Sequence, residues 1–223
     1  MGLFKVSTRN NIDYRLLFVN VVSIRYYLGM SLDIREVHDL IERLGNLVRI
    51  DVRALCHEYG VRPAQLEVLR FLTQCNRYSD TPQAVTEFLG LTKGTVSQTI
   101  KVLEQKGLLR KQDDVADRRL VHLKPTTKGR RLVERAVPAK SLVRGLESLA
   151  DSKSQVIEQV LRDLLQSLQK ANGFKTFAPC HTCSFNQKHE GVYVCGLTRE
   201  PLSERDVVLI CREHQYPIRT ATK

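Results

Sequence analysis

Residues 80–127 read DTPQAVTEFLGLTKGTVSQTIKVLEQKGLLRKQDDVADRRLVHLKPTT. Thr81-Pro82 is an N-cap followed by proline at the first helical position, and it predicts a short helix that ends near Gly90. A second helix begins at once, with Thr92 as its cap. Val96, Ile100 and Leu103 recur at spacings of four and three, which places one apolar stripe inward. The opposite face carries Lys93, Thr95, Ser97, Gln98 and Lys101. These are short polar or cationic side chains, the types that bond base edges or grip phosphates, and Gln98 can pair bidentately with adenine. Gly107 stops this helix. Leu108 to Gln112 and Arg119 to Lys124 then read as two strands, joined by a turn from Asp113 to Arg118. Arg118 and Arg119 follow Asp117 at the end of this hairpin, well placed to enter a narrow minor groove.

Two short helices, a hairpin and a re-entering helix are the order of a winged helix. Between Leu91 and Arg131 there are eleven Lys and Arg against four acids, a balance of +7 out of a chain total of +11. Positive charge is therefore concentrated on this segment, as a polyanionic partner requires. LGLTKGTVSQTIKVLEQKGLLRK (89–111) resembles the recognition helix of the MarR family of bacterial transcription regulators. DVADRRLVHLKPTTKGRRL (114–132) resembles that family's wing and the turn into the next helix. Asp117-Arg118-Arg119 and Gly129 are its most family-specific points, and the resemblance extends over Asp33 to Ala171. It implies a mainly α fold with a small β wing, a winged helix-turn-helix dimer acting as a repressor on double-stranded DNA, and a small-molecule effector.

The chain has 223 residues, 42% hydrophobic and 26% charged, so it is neither disordered nor membranous in composition. An isoelectric point near 9.6 favours a polyanion, and the hairpin and helix pattern selects nucleic acid over an acidic membrane surface. Leu16 to Ile24 is apolar but far too short to span a bilayer. Residues 1–32 read as an N-terminal extension, with Met30 as an alternative translation start or 1–29 as a genuine basic arm. Ile34 to Glu58 follows helical spacing up to Gly60, and Arg62-Pro63 opens the next helix, with Leu66, Val68, Leu69, Phe71 and Leu72 as its core face. Arg130 to Leu149 reads as helical with a break at Pro138. Ser152 to Ala171 carries Val156, Val160, Leu164, Leu165 and Leu168 on one stripe. The long first and last helices lie outside the compact DNA-binding part, so they are the expected homodimer interface across two half-sites, in a domain spanning 33–172.

After a link at 173–179, residues 180–223 hold four of the six cysteines: Cys180, Cys183, Cys195 and Cys211, spaced C-x2-C-x11-C-x15-C. Gly191 to Gly196 and Val207 to Cys211 read as strands. The tail is near neutral, with six cations against five acids. About forty residues cannot bury enough apolar surface to fold unaided, so a staple is expected. Disulfides are disfavoured for a regulator working in the cytoplasm. Zinc in a tetrahedral four-thiolate site is one reading, although zinc ribbons carry two C-x2-C pairs and this chain carries one. One close pair with two spread cysteines is how many iron–sulfur sites are built. The tail is similar to the high-potential iron–sulfur proteins, which favours a 4Fe-4S over a 2Fe-2S cluster, with zinc as the alternative. His181, His189 and His214 read as surface histidines, and Cys56 and Cys75 as small buried hydrophobes.

No phosphate-cradling glycine loop and no nucleophile motif is present, so an enzyme is not expected. The expected function is a cytoplasmic DNA-binding regulator whose metal centre reports redox state or iron. The rival readings are a MarR-like regulator answering a small molecule over a structural zinc tail, and a DNA-tethered redox module.

Overall fold

The computed structural model describes residues 32–115 and 117–217. The extension at 1–29 therefore lies outside the described residues. The described residues are mainly helical with small antiparallel sheets, and they divide into two units between Asn46 and Leu47.

Helix α1 (Ile34–Glu58) crosses that division, and its first turn is held by the Asp33 carboxylate, which accepts from the Arg35 N–H at 3.0 Å. Helix α2 (Pro63–Gln74) is the centre of the core, with Leu66, Val68, Leu69, Phe71 and Leu72 all buried. Helix α3 (Pro82–Leu89) is capped by Thr81, whose hydroxyl accepts from the Ala84 N–H at 3.2 Å. It stops where Gly90 takes φ +64°, a left-handed conformation costly for any residue with a Cβ. Helix α4 (Lys93–Gln105) starts at Thr92 and buries Val96, Ile100 and Leu103 against α2 and α3. The wing is strand β1 (Leu109–Asp113) paired antiparallel to β2 (Val121–Pro125). The second strand begins two residues later than its β-propensity suggests, because the Leu120 N–H closes a turn on the Asp117 carbonyl at 2.8 Å. Arg118 and Arg119 therefore sit in the turn.

Helix α5 (Thr127–Ala136) starts earlier than expected, capped by the Thr126 hydroxyl on the Gly129 N–H at 3.2 Å. The break at Pro138 separates it from α6 (Lys140–Glu147), through a cis Val137–Pro138 bond. Helix α7 (Asp151–Asn172) follows. Its Val156, Val160, Leu161, Leu165 and Leu168 are 50–60% exposed, an apolar stripe that this single chain leaves in water.

The tail begins at β3 (Ala178–Pro179) and continues through a short 3-10 turn at Cys180–Thr182, β4 (Asn186–His189), β5 (Val192–Cys195) and β6 (Pro201–Leu202). Val207 and Val208, expected to open a strand, instead close helix α8 (Glu204–Val208). The reason is a capping box: the Ser203 hydroxyl accepts from the Asp206 N–H, and the Asp206 carboxylate accepts from the Ser203 N–H. Only Ile210–Cys211 remain extended, as β7 antiparallel to β3.

Gly129 shows how closely the wing's base is packed. A Cβ there would stand 2.2 Å from the Leu108 carbonyl oxygen and 3.3 Å from Leu69, and backbone cannot yield as a flexible side chain would. Gly129→Ala is expected to lower stability by at least about 1–3 kcal/mol. Gly145→Ala, with open space in α6, is expected to be neutral or stabilising by about 0.5–1 kcal/mol. Urea unfolding midpoints of the two variants check both.

Candidate nucleic-acid interface and cysteine cluster

Burying Val96, Ile100 and Leu103 rotates the rest of α4 outward. Lys93, Thr95, Ser97, Gln98 and Lys101 are all exposed on it. The Thr95 N–H and hydroxyl both engage the Thr92 hydroxyl, which fixes the N-terminus of the helix. At the wing turn the Arg118 and Arg119 side chains are also in solvent. Arg119, 92% exposed, is held by Asp117 through Nε at 3.1 Å and Nη2 at 3.3 Å. This fork presets the arginine and keeps the Asp117 carboxyl below its usual range, with the hydrogen bonds from Arg119 as the cause.

The wing is anchored by a charge that the spacing did not reveal. Asp80, 4% exposed, lies under β2, where its carboxylate meets His122 Nδ1 at 2.5 Å and the Lys124 ammonium. Its carbonyl accepts from the Leu123 N–H at 2.7 Å. His122 Nε2 turns to Asp114 at 3.0 Å, so both ring nitrogens face carboxylates and both are donors when the ring is charged. Burial disfavours the imidazolium, but Asp80 and Asp114 outweigh it, and the His122 pKa is raised above its ordinary value.

The tail sits on the winged helix. Phe177 meets Phe71 and Phe88 edge-on, with ring centres 6.0 and 5.2 Å away. Arg212 forms a two-point ion pair with Glu87 of α3, at 2.7 and 2.8 Å, and Lys175 adds a third contact to that carboxylate at 2.8 Å. The Arg212 bonds, with help from Lys175 and Gln83, hold the Glu87 carboxyl down to about 2. The Arg212 N–H donates to the Ser79 hydroxyl at 2.8 Å, and the Asn76 N–H donates to the Ile210 carbonyl at 2.9 Å.

Cys180 and Cys183 are buried, and Cys195 and Cys211 are half-buried; all are free thiols. Burial pushes the Cys180 thiol up to about 11, and the like charges of Cys211, Cys183 and Cys195 add to the rise. Among the described residues, no three His, Cys, Asp or Glu side chains close on a point as a single metal ion requires. The donor set nevertheless fits thiolates. Asn186 Nδ2 donates to Cys180 Sγ at 3.5 Å, and the Gln215 N–H to Cys183 Sγ at 3.4 Å. The buried Asn76, whose backbone N–H donates to the Ile210 carbonyl, leaves its side-chain Nδ2 without a hydrogen-bond partner.

His214 is buried rather than a surface residue, and its two ring nitrogens face the Thr176 and Thr182 hydroxyls at 2.6 and 2.9 Å, which removes it from ligation. His181 and His189 are exposed. Cys75 is buried, its thiol raised to about 12, and Cys56 is buried too, so both lie in the core as small hydrophobes do. A cleft of about 600 Å³ between Tyr59 and α5 is bordered by Lys106, Lys128, Arg131 and Arg135, a lining suited to an anionic small molecule. No described helix is long and apolar enough to cross a membrane.

A family model described as MarR family matches residues 59–120, from the end of α1 into the wing and short of the tail. The chain is 29% identical over 133 residues to YkoM, an uncharacterized HTH-type transcriptional regulator of Bacillus subtilis (strain 168). That alignment spans 52% of this chain and 83% of YkoM. It superposes on a MarR family protein from Bacillus stearothermophilus with a TM-score of 0.54 at 22% identity, over 62% of this chain and 99% of that one. A MarR transcriptional regulator from Methanosarcina mazei Go1 gives a TM-score of 0.53 at 22% identity, over 61% and 99%. These structures share the fold.

The raised pKa of His122 means that its protonation stabilises the folded wing below about pH 6.5 and that this contribution is lost as pH rises through the folded value. The stability advantage of the wild type over His122→Gln is therefore expected to shrink as pH rises above about 6.5, read by urea unfolding over a pH series.

Proposed function

We propose that this chain is a MarR-type transcription regulator that binds double-stranded DNA as a homodimer and carries a thiolate-held metal centre in its tail. The DNA-binding half rests on one observation above the others. An amphipathic helix at the second position of a helix-turn-helix exposes Lys93, Thr95, Ser97, Gln98 and Lys101, beside a wing turn that projects Arg118 and Arg119. Helix α4 enters the major groove, where Gln98 reads a base edge and the lysines grip phosphates, and the wing arginines reach the flanking minor groove. The family match over 59–120 and the likeness to YkoM support the same reading.

A single winged helix covers few base pairs, and a second copy doubles the contact across a near-palindromic operator. The exposed apolar stripe of α7 is a surface that a second copy covers, and exposed Leu40, Ile41 and Leu44 on α1 are another. Repression follows where such an operator overlaps a promoter.

Cys180, Cys183, Cys195 and Cys211 are the ligands in this reading. N–H donors directed at two of the four sulfurs, Cys180 and Cys183, support it, because hydrogen bonds to sulfur stabilise a thiolate and tune a cluster's potential. The C-x2-C-x11-C-x15-C spacing, one close pair with two spread cysteines, favours a 4Fe-4S cluster over a lone zinc ion. The bound group would supply redox sensitivity or structural closure, and the tail's contacts with α3 carry its state to the DNA-binding part.

Two outcomes follow. Gln98→Ala is expected to cost about 1–3 kcal/mol on the operator and little on unrelated DNA. Arg119→Glu is expected to weaken both and to lower the slope of log affinity against log salt by about one or more. Fluorescence anisotropy over a salt series measures all of these, and retained affinity in Arg119→Glu at physiological salt removes the wing from the interface. Protein purified without oxygen is expected to be brown, with iron and acid-labile sulfide that Cys180→Ala loses. Colourless protein with zinc would replace the cluster by a structural ion.

A further inference from the structure

The carboxylate of Asp114 is shared between a titratable ring and the wing turn. Its Oδ2 faces His122 Nε2 at 3.0 Å, and its Oδ1 accepts from the Asp117 N–H at 2.8 Å. Within the turn, the Asp114 N–H donates to the Leu120 carbonyl and the Leu120 N–H to the Asp117 carbonyl. The Asp117 carboxylate takes the Arg119 N–H at 3.0 Å together with the Arg119 guanidinium. One line of hydrogen bonds therefore runs from buried Asp80 through His122, Asp114 and Asp117 to Arg119. That line is complete only when both ring nitrogens carry protons, because a neutral imidazole donates from one nitrogen alone.

Deprotonation breaks the line at a definable place. Asp80 is the more buried carboxylate, its side chain 6% exposed against 28% for Asp114, and it stands nearer the ring, at 2.5 Å against 3.0 Å. A buried carboxylate left without its donor costs more than one that water can reach. Nδ1 therefore keeps the remaining proton, and Nε2 turns a lone pair toward Asp114. Asp114 then swings to water, and the Asp117 N–H loses its acceptor. The other charged groups about the ring are Lys124, held by Asp80, and, along the cleft that His122 borders, Asp113, Arg77 paired with Glu200, and Arg212 paired with Glu87.

We propose that His122 and Asp114 are positioning residues for the wing arginine: the imidazolium holds Asp114 on the Asp117 N–H, the turn presents Arg119 to DNA, and loss of that proton lowers DNA affinity. The inference rests on the DNA-binding reading of the wing. Asp80 and Asp114 raise the His122 pKa, so affinity is full while the ring is charged and declines as pH rises through the folded value. By linkage, bound DNA raises that pKa in return.

Arg119→Ala separates positioning from the plain attraction of one more charge, because only positioning acts through the arginine. Full-length wild type, His122→Gln and Arg119→Ala are measured by fluorescence anisotropy at fixed salt, on a labelled duplex that wild type selects from a random-sequence pool. The His122 ring C–H and Asp117 amide resonances are followed by NMR across the same pH series. In wild type, affinity is expected to fall about 2–10-fold across the His122 titration, the cost of ordering one long side chain at the interface. The Asp117 amide is expected to titrate with the ring. Both variants are expected to lose the affinity step, and Arg119→Ala to keep the ring titration. Wild type that selects no duplex refutes the DNA-binding reading, and this proposal with it. No step in wild type, a step that persists in Arg119→Ala, or an Asp117 amide indifferent to the ring overturns this proposal alone. The amide measurement decides by itself where a variant fails to fold or to bind.

Discussion

The carboxylate of Asp80 is a charge held in the core, and the wing is arranged to answer it. A buried charge left alone costs several kcal/mol, so its partners, His122 and Lys124 on β2, cannot leave without penalty. Because both partners lie on one strand of the hairpin, neutralising Asp80 also fixes the register of that strand against α2 and α3. The Leu123 side chain is buried between them and its N–H is spent on the Asp80 carbonyl. The wing turn that carries Arg118 and Arg119 is thus cantilevered from a rigid base, which is the condition for aiming two long side chains at a groove.

Asp80 also lies at the end of a short turn whose beginning faces the tail. Ser79, Asn76 and Glu87 are occupied by Arg212 and by the backbone around Cys211. The tail is too small to bury much apolar surface by itself; its own cluster is Cys180, Leu202 and Val207 with a few half-buried neighbours. It takes the rest of its support from the winged helix through Phe177 and Arg212. A module supported in this way cannot change its packing without altering what it leans on.

Much of the winged-helix half was legible in the chain. The caps at Thr81, Thr92 and Thr126, the stops at Gly60 and Gly90, and the Val96, Ile100 and Leu103 stripe are local signals with a fixed period, and helices follow them within a few residues. The limits were also local in kind. The Val207 to Cys211 segment has a strand's composition, but the Ser203 and Asp206 capping box commits the preceding turn to a helix. The two carboxylates that hold His122 stand 42 and 8 residues away in sequence, beyond the reach of a local pattern.

By itself the sequence determined which segments become helices, which face of α4 is polar, where positive charge collects and how the four tail cysteines are spaced, because caps, periodicity and composition act over a few residues. Only the tertiary structure decided that Asp80 anchors the wing, that His214 is buried between two threonines, and that Phe177 and Arg212 seat the tail on α2 and α3. Those pairings join residues up to 125 positions apart, such as Glu87 and Arg212, and nothing in a local pattern encodes which distant groups packing will bring together.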